Sequence, residues 1–62
     1  MLSGYGDILT VAEVAEVLYI GKNRVYELLL QGTLKGFRIG RMWKIPKESV
    51  IEYVCNQAGL KR

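Results

Sequence analysis

Apolar residues in the first third of the chain recur with the spacing of a helix that buries one face. They occupy positions i, i+3, i+4 and i+7, namely Val11, Val14, Ala15 and Leu18. Thr10 precedes this run and Glu13 follows it by three residues, which is the pattern of a capping box. The sequence therefore predicts a first helix from about Val11 to Leu18.

A second helix is predicted between two glycines. Gly21 can serve as its N-cap, and Gly32 can end it in a left-handed conformation. Its apolar face consists of Val25, Leu28 and Leu29. The opposite face is polar, with Asn23 and Glu27 at its centre and Tyr26, Leu30, Arg24 and Gln31 on its flanks. We expect this polar face to be available to a ligand.

Apolar and charged residues alternate from Phe37 to Ile45, which predicts a β-hairpin. A three-residue loop, Gly40-Arg41-Met42, pairs Ile39 with Trp43 and Phe37 with Ile45 on one apolar face, whereas a two-residue loop sets apolar residues against charged ones. The same register places Arg38 opposite Lys44. Like charges in that position destabilise the hairpin unless an anion lies between them. The pair indicates an anion-binding hairpin, and the alternative is two long side chains that diverge into water.

The remaining apolar residues predict a third helix and one shared core. Pro46 suits the first turn of a helix. The apolar stripe that follows is Val50, Ile51, Val54 and Ala58, and Leu2, Leu9 and Trp43 are expected to complete the core. Two helices, a hairpin and a third helix make a small α+β fold, the winged helix-turn-helix, over residues 8–58. Residues 1–7 and 59–62 are expected to be flexible ends.

Charge is distributed unevenly along the chain, although the net charge of +3 is modest. Residues 1–21 contain three acidic side chains and no basic one, whereas residues 22–47 contain seven Lys and Arg against Glu27 alone. A basic block confined to the second helix and the hairpin is typical of a phosphate-binding face, and a generic solvated surface is the alternative. Lys22 also lies where the free amides at a helix start favour a phosphate.

Size and composition exclude most enzymatic and metal-binding functions. A chain of 62 residues makes one small domain, without histidine and with a single cysteine, Cys55, for which a half-buried, inert thiol is the expected role. The glutamates are spread over helix surfaces. We therefore expect no catalytic residue, no metal ligand, no cofactor and no enzymatic activity. The lack of a long apolar run or a signal sequence predicts a cytoplasmic protein that does not contact a membrane.

Three segments resemble those of a known family: Leu9 to Leu18 (LTVAEVAEVL), Arg24 to Leu28 (RVYEL) and Gly32 to Pro46 (GTLKGFRIGRMWKIP). They are similar to the excisionase-type helix-turn-helix family, whose fold resembles the DNA-binding domain of MerR-like regulators. The resemblance covers about residues 8–54. One departure is Gly21, where the family usually has serine or threonine.

This resemblance implies that the second helix enters the major groove of DNA while the hairpin, the wing, lies in the adjacent minor groove or on its backbone. By position, the groove-reading role falls on Lys22, Asn23, Arg24, Tyr26 and Glu27, and the wing role falls on Arg38, Arg41 and Lys44. Lys35, at the start of the basic hairpin, completes the expected DNA-binding set.

The function that fits best is that of a sequence-preferring DNA-binding protein, acting architecturally in excisive recombination of a phage or integrated element. Its expected partners are double-stranded DNA and a site-specific recombinase (integrase), with the protein monomeric when free and cooperative on DNA. Two alternatives stay open. One is a small transcriptional regulator of the same fold. The other is a protein-interaction module that uses Leu30, Tyr26 and Ile51, whose binding should be insensitive to salt.

Overall fold

Three helices and a three-stranded antiparallel sheet make up residues 4–59, the part of the chain that the computed structural model describes. Residues 1–3 and 60–62 of the predicted flexible ends, and with them Leu2, lie outside the described residues. In chain order the elements are β1 (Ile8–Leu9), α1 (Val11–Leu18), α2 (Lys22–Gln31), β2 (Phe37–Ile39), β3 (Met42–Pro46) and α3 (Lys47–Ala58). This arrangement is a winged helix-turn-helix, as predicted.

The two helices of the helix-turn-helix begin and end where the sequence predicts. The backbone N–H of Glu13 donates to Thr10 Oγ1 at 3.2 Å, and the N–H of Thr10 donates to Glu13 Oε1 at 2.9 Å, so the capping box is complete. Helix α2 follows Gly21, which makes no side-chain cap, and ends at Gly32 in the left-handed region with φ of 78°. The start of α1 and the two ends of α2 are therefore set by residues within one helical turn of them.

The turn between α1 and α2 contains an unusual backbone conformation. Tyr19 ends α1 in the left-handed region, with φ of 57° and ψ of 42°, and its N–H donates to the carbonyl oxygens of Ala15 and Glu16. A side chain with a Cβ is strained there, and glycine is the usual residue at this position. The Tyr19 side chain is 94% exposed, so contacts with the core do not offset that strain.

The predicted hairpin register is wrong by one residue. Cross-strand partners are Phe37 with Lys44, Arg38 with Trp43, and Ile39 with Met42, so the loop contains only Gly40 and Arg41. Gly40 has φ of 62° and Arg41 has no positive φ, which is the pattern of a type II′ turn. Every residue of β2 is exposed, so burial of an apolar face does not select the register, and the turn decides it.

Strand β1 was absent from the predicted elements. It pairs Ile8 with Pro46 and Leu9 with Ile45, and the N–H of Lys47 donates to the carbonyl oxygen of Asp7 at 2.8 Å. The sheet order is therefore β1-β3-β2, with β3 in the centre. Two residues are too few to show a strand periodicity.

The core lies between the helices and the central strand. Its buried residues are Leu9, Val11, Val14, Ala15, Val25, Leu28, Leu29, Leu34, Ile45 and Val50. Leu34, in the segment between α2 and β2, is only 1% exposed and was not predicted to be in the core. Phe37 and Ile39, which the wrong register placed in the core, are exposed.

Helix α3 contributes less to the core than its apolar stripe predicts. Val50 is fully buried, Ile51 and Val54 are partly buried, and Ala58 is exposed. Pro46 is the last residue of β3 and the N-cap of α3 rather than part of its first turn. The helix therefore packs on the sheet through its first half.

Candidate nucleic-acid interface

A groove of about 200 Å³ lies where the starts of α1 and α2 meet the wing, which consists of β2, β3 and the Gly40-Arg41 loop. Lys22 and Tyr26 line it from α2, and the N-cap and first turn of α1 also contribute to its lining. From the wing it is lined by Arg41, Met42 and Trp43. We call it the wing groove. It brings together residues up to 33 positions apart, from Thr10 to Trp43, because the packing of β3 against α1 places the wing beside the helices.

Two cations meet in the wing groove. Lys22 and Arg41 come from different elements, both are exposed, and neither forms an ion pair with another residue of the described part of the chain. Side chains of like charge share a groove at little cost only while water or an anion screens them. The wing groove is thus suited to an anion such as a phosphate.

The exposed surface of α2 continues from this groove. Val25, Leu28 and Leu29 are buried, which leaves Asn23, Arg24 and Glu27 turned to solvent, as predicted. Arg24 Nη1 lies 3.8 Å from Glu27 Oε1, one turn along the helix. An exposed pair of this kind contributes only about 0–1 kcal/mol, so Arg24 can leave it for another hydrogen-bond acceptor.

The wing cations do not form the pair that the sequence predicts. Arg38 lies opposite Trp43 and Lys44 lies opposite Phe37, so the two basic residues project from opposite faces of the hairpin. The predicted anion between Arg38 and Lys44 is excluded by this register. Lys35 lies outside the wing groove, with its Nζ 4.0 Å from Glu52 Oε1 of α3.

Two apolar residues of the groove, Met42 and Trp43, were absent from the predicted site. Trp43 packs partly against the core, and Met42 stays exposed beside Arg41. Their place in the groove follows from the two-residue loop, because it starts β3 at Met42. The signal that could have found them is the Gly40-Arg41 dipeptide, since glycine at the first position of a two-residue loop indicates a type II′ turn.

A second hollow is lined by Tyr5, Glu16, Val17 and Tyr19. The Tyr5 hydroxyl donates a hydrogen bond to the Glu16 carboxylate, and this bond raises the pKa of Tyr5 above its ordinary value. Among the described residues, its lining contains a carboxylate and no cation, so it does not favour a phosphate.

The described residues offer no metal site. No three Asp, Glu or Cys side chains of residues 4–59 come together in a way that could hold a metal ion, and Cys55 is partly buried with a free thiol. Within the same range, none of the helices has the length and apolar character needed to cross a membrane.

Comparison with known proteins identifies the family. The family model of the helix-turn-helix domain matches residues 8–58. A "Probable excisionase" of Saccharopolyspora erythraea is 37% identical over 48 residues, which are 77% of this chain and 49% of the relative. An "Excisionase" of Streptomyces ambofaciens is 30% identical over 53 residues, which are 86% of each chain.

Relatives with other names are also similar. A "Probable plasmid-partitioning protein ParA" of Thermus thermophilus is 38% identical over 40 residues, which are 64% of this chain and 12% of the relative. The chain thus spans about half or less of the length of several curated relatives that it matches. No solved structure matches the chain. From the family model over nearly its whole length and the excisionase relatives, the chain belongs to the helix-turn-helix domain family, as an excisionase-type member.

Proposed function

We propose that this protein is a non-enzymatic, sequence-preferring DNA-binding protein that acts as an architectural factor in excisive recombination of a phage or integrated element. The observation that carries the proposal is the wing groove, in which Lys22 and Arg41 meet beside the exposed polar face of α2. The excisionase names of two relatives support the recombination role.

The proposed complex places α2 in the major groove of the duplex. A helix with its side chains is about 10–12 Å across, which matches a major groove about 12 Å wide. The phosphate strand beside that groove then lies in the wing groove, between Lys22 and Arg41. The expected base-reading residues are Asn23, Arg24, Tyr26 and Glu27, and Arg38, Lys44 and Lys35 are expected to contact the backbone.

Salt dependence tests the backbone contacts. Each neutralised phosphate contributes a slope of about −0.9 to log K against log salt, so Lys22, Arg38, Arg41 and Lys44 together predict roughly −3 to −4. Arg41→Ala should lower affinity for all duplexes alike and reduce the slope by about one, measured by fluorescence anisotropy. Lys47→Ala is the matched control, because Lys47 Nζ lies 4.0 Å from Asp7 Oδ1 and outside the wing groove. An unchanged slope in Arg41→Ala removes Arg41 from the interface.

Sequence preference tests the role of α2. A good base contact discriminates against the wrong base by about 1–3 kcal/mol, so Arg24→Ala should narrow the affinity gap between a selected duplex and random DNA. Gln57→Ala, a change at an exposed position of α3, serves as the control and should leave the gap unchanged. An equal loss of affinity for both duplexes makes Arg24 a phosphate contact and refutes its reading role.

Assembly on DNA tests the architectural role. A single module of this size buries roughly 600–1,000 Å² of protein surface and reads few base pairs, which favours several copies, or one copy beside a recombinase, acting together. We expect a monomer in free solution, cooperative binding to repeated sites and a bent duplex in gel mobility. Independent binding without a bend, and without any effect of the recombinase of the same element, favours plain transcriptional regulation instead.

A further inference from the structure

Two large apolar side chains stand together at the tip of the wing. Ile39 is 61% exposed and Met42 is 55% exposed, and neither belongs to the core cluster. They are direct cross-strand partners on either side of the Gly40-Arg41 turn. The most exposed end of the hairpin thus carries a contiguous apolar pair.

This pair faces away from the core. Adjacent residues of a strand point to opposite faces, and cross-strand partners share a face. Because Trp43 packs against the core, its neighbour Met42 and the partner Ile39 lie on the outer face of the wing. The fold therefore gains little from having apolar residues at these two positions.

The charges around the tip indicate what covers it. Arg41 lies in the turn itself, and Lys44 shares the outer face with Met42 two residues further along β3, so the apolar pair has a cation on either side. Neither cation forms an ion pair within residues 4–59. A partner with an apolar centre and negative flanks complements this pattern. A base step of DNA between its two phosphate strands has that chemistry.

The position of the tip selects one groove of the duplex. A phosphate strand separates the major groove from the minor groove. If α2 occupies the major groove and the strand beside it lies in the wing groove, the wing tip, whose Met42 borders that groove, extends past the strand toward the minor groove. We propose that Ile39 and Met42 form an apolar wedge that enters the minor groove, partly unstacks one base step and kinks the duplex.

This inference rests on the proposed DNA-binding function and adds the residues that bend the DNA. Inserted Ile, Met, Leu or Phe side chains kink DNA by about 20–90° in minor-groove binders. Pyrimidine-purine steps unstack most easily, so the wedge favours TA or CA/TG beneath the wing. The protein would then select a sequence at a step where it makes no hydrogen bond to a base.

The test compares the wedge with an apolar residue of the same face. The double variant Ile39→Thr with Met42→Gln keeps a β-branched residue in β2 and an unbranched one in β3. Phe37→Thr is the matched control, because Phe37 is 46% exposed and shares the outer face with Ile39 but lies two residues from the tip. Bending is measured by energy transfer between fluorophores at the ends of a selected duplex. Unstacking is measured by a fluorescent adenine analogue in the step beneath the wing.

The expected result is that the double variant loses most of the bend and of the unstacking signal, while its salt slope stays within experimental error of the native protein's. Phe37→Thr should keep both signals. Replacing the TA step by AA should reduce the bend made by the native protein but not the bend left in the double variant.

The proposal is overturned if the double variant bends and unstacks the duplex as the native protein does. It is also overturned if the double variant loses the bend together with about one unit of salt slope, because the bend then depends on phosphate contacts made by the cations. If replacing Ile39 and Met42 changes the association state of the free protein, the tip serves contacts between copies of the chain, and the wedge proposal is overturned. Failure of the native protein to bind any duplex is a different result, because it refutes the proposed function itself.

Discussion

Replacing Gly36 by alanine should destabilise the protein, because the chain at Gly36 passes close to a side chain of α2 and to strand β3. A Cβ at this position would lie 2.9 Å from Leu29 Cδ2, 3.1 Å from the carbonyl oxygen of Lys44 and 3.2 Å from Ile45 Cγ1. Leu29 and Ile45 are buried, and the Lys44 oxygen belongs to the central strand, so a shift of any of these neighbours disturbs the core or the sheet around it.

The magnitude follows from two opposing effects. Overpacking of this kind costs about 1–3 kcal/mol. The backbone of Gly36 does not have a positive φ, so alanine also removes unfolded-state entropy, which contributes about 0.4–1 kcal/mol in its favour. The net expectation is a loss of roughly 1–2 kcal/mol in the free energy of unfolding, or roughly 5–15 °C in Tm for a domain of this size.

Gly6→Ala is the matched control, because no atom lies within 4 Å of a Cβ built there. It should leave stability unchanged or raise it by about 0.4–1 kcal/mol. Urea and thermal unfolding followed by circular dichroism measure both variants. If Gly36→Ala is as stable as Gly6→Ala, the close approach of Gly36 to Leu29 and to β3 does not exist.

Three further changes test the fold. Tyr19→Gly should raise the free energy of unfolding by roughly 0.5–1 kcal/mol in urea titrations, because relief of the left-handed strain outweighs the added entropy of the unfolded chain. A lower free energy of unfolding would show instead that the Tyr19 side chain makes stabilising contacts. Leu34→Ala should lower it by about 2–5 kcal/mol, and a smaller change would place Leu34 outside the core. The hydrogen bond from the Tyr5 hydroxyl to Glu16 raises the pKa of Tyr5 in the folded protein. The stabilisation that this bond gives to the fold is therefore fully present below the unfolded pKa of about 10 and is lost as pH rises through the folded pKa. Tyr5→Phe should therefore be less stable than the native protein near neutral pH but not in strong alkali, and a difference that persists there contradicts the assignment.

Local signals in the sequence determined the helix-turn-helix. The capping box at Thr10, the glycines at 21 and 32 and the periodic apolar face of α2 all act within a turn or two of the residues that they fix. The ends of α1 and α2 are therefore predictable without knowledge of the rest of the molecule. The exposure of Asn23, Arg24 and Glu27 is predictable for the same reason.

Only the tertiary structure decided where the wing lies against the helices, and therefore the groove beside it. The register of the hairpin followed from its two-residue turn. Strand β2 buries none of its residues, so its apolar pattern held no information on register, and the two-residue turn moved Arg38 away from Lys44 and exposed Ile39. The burial of Leu34 and the pairing of β1 depend on partners distant in the chain. Lys22 and Arg41 share a groove only because β3 packs against α1, and such a contact is set by the fit of the whole core rather than by any nearby residue.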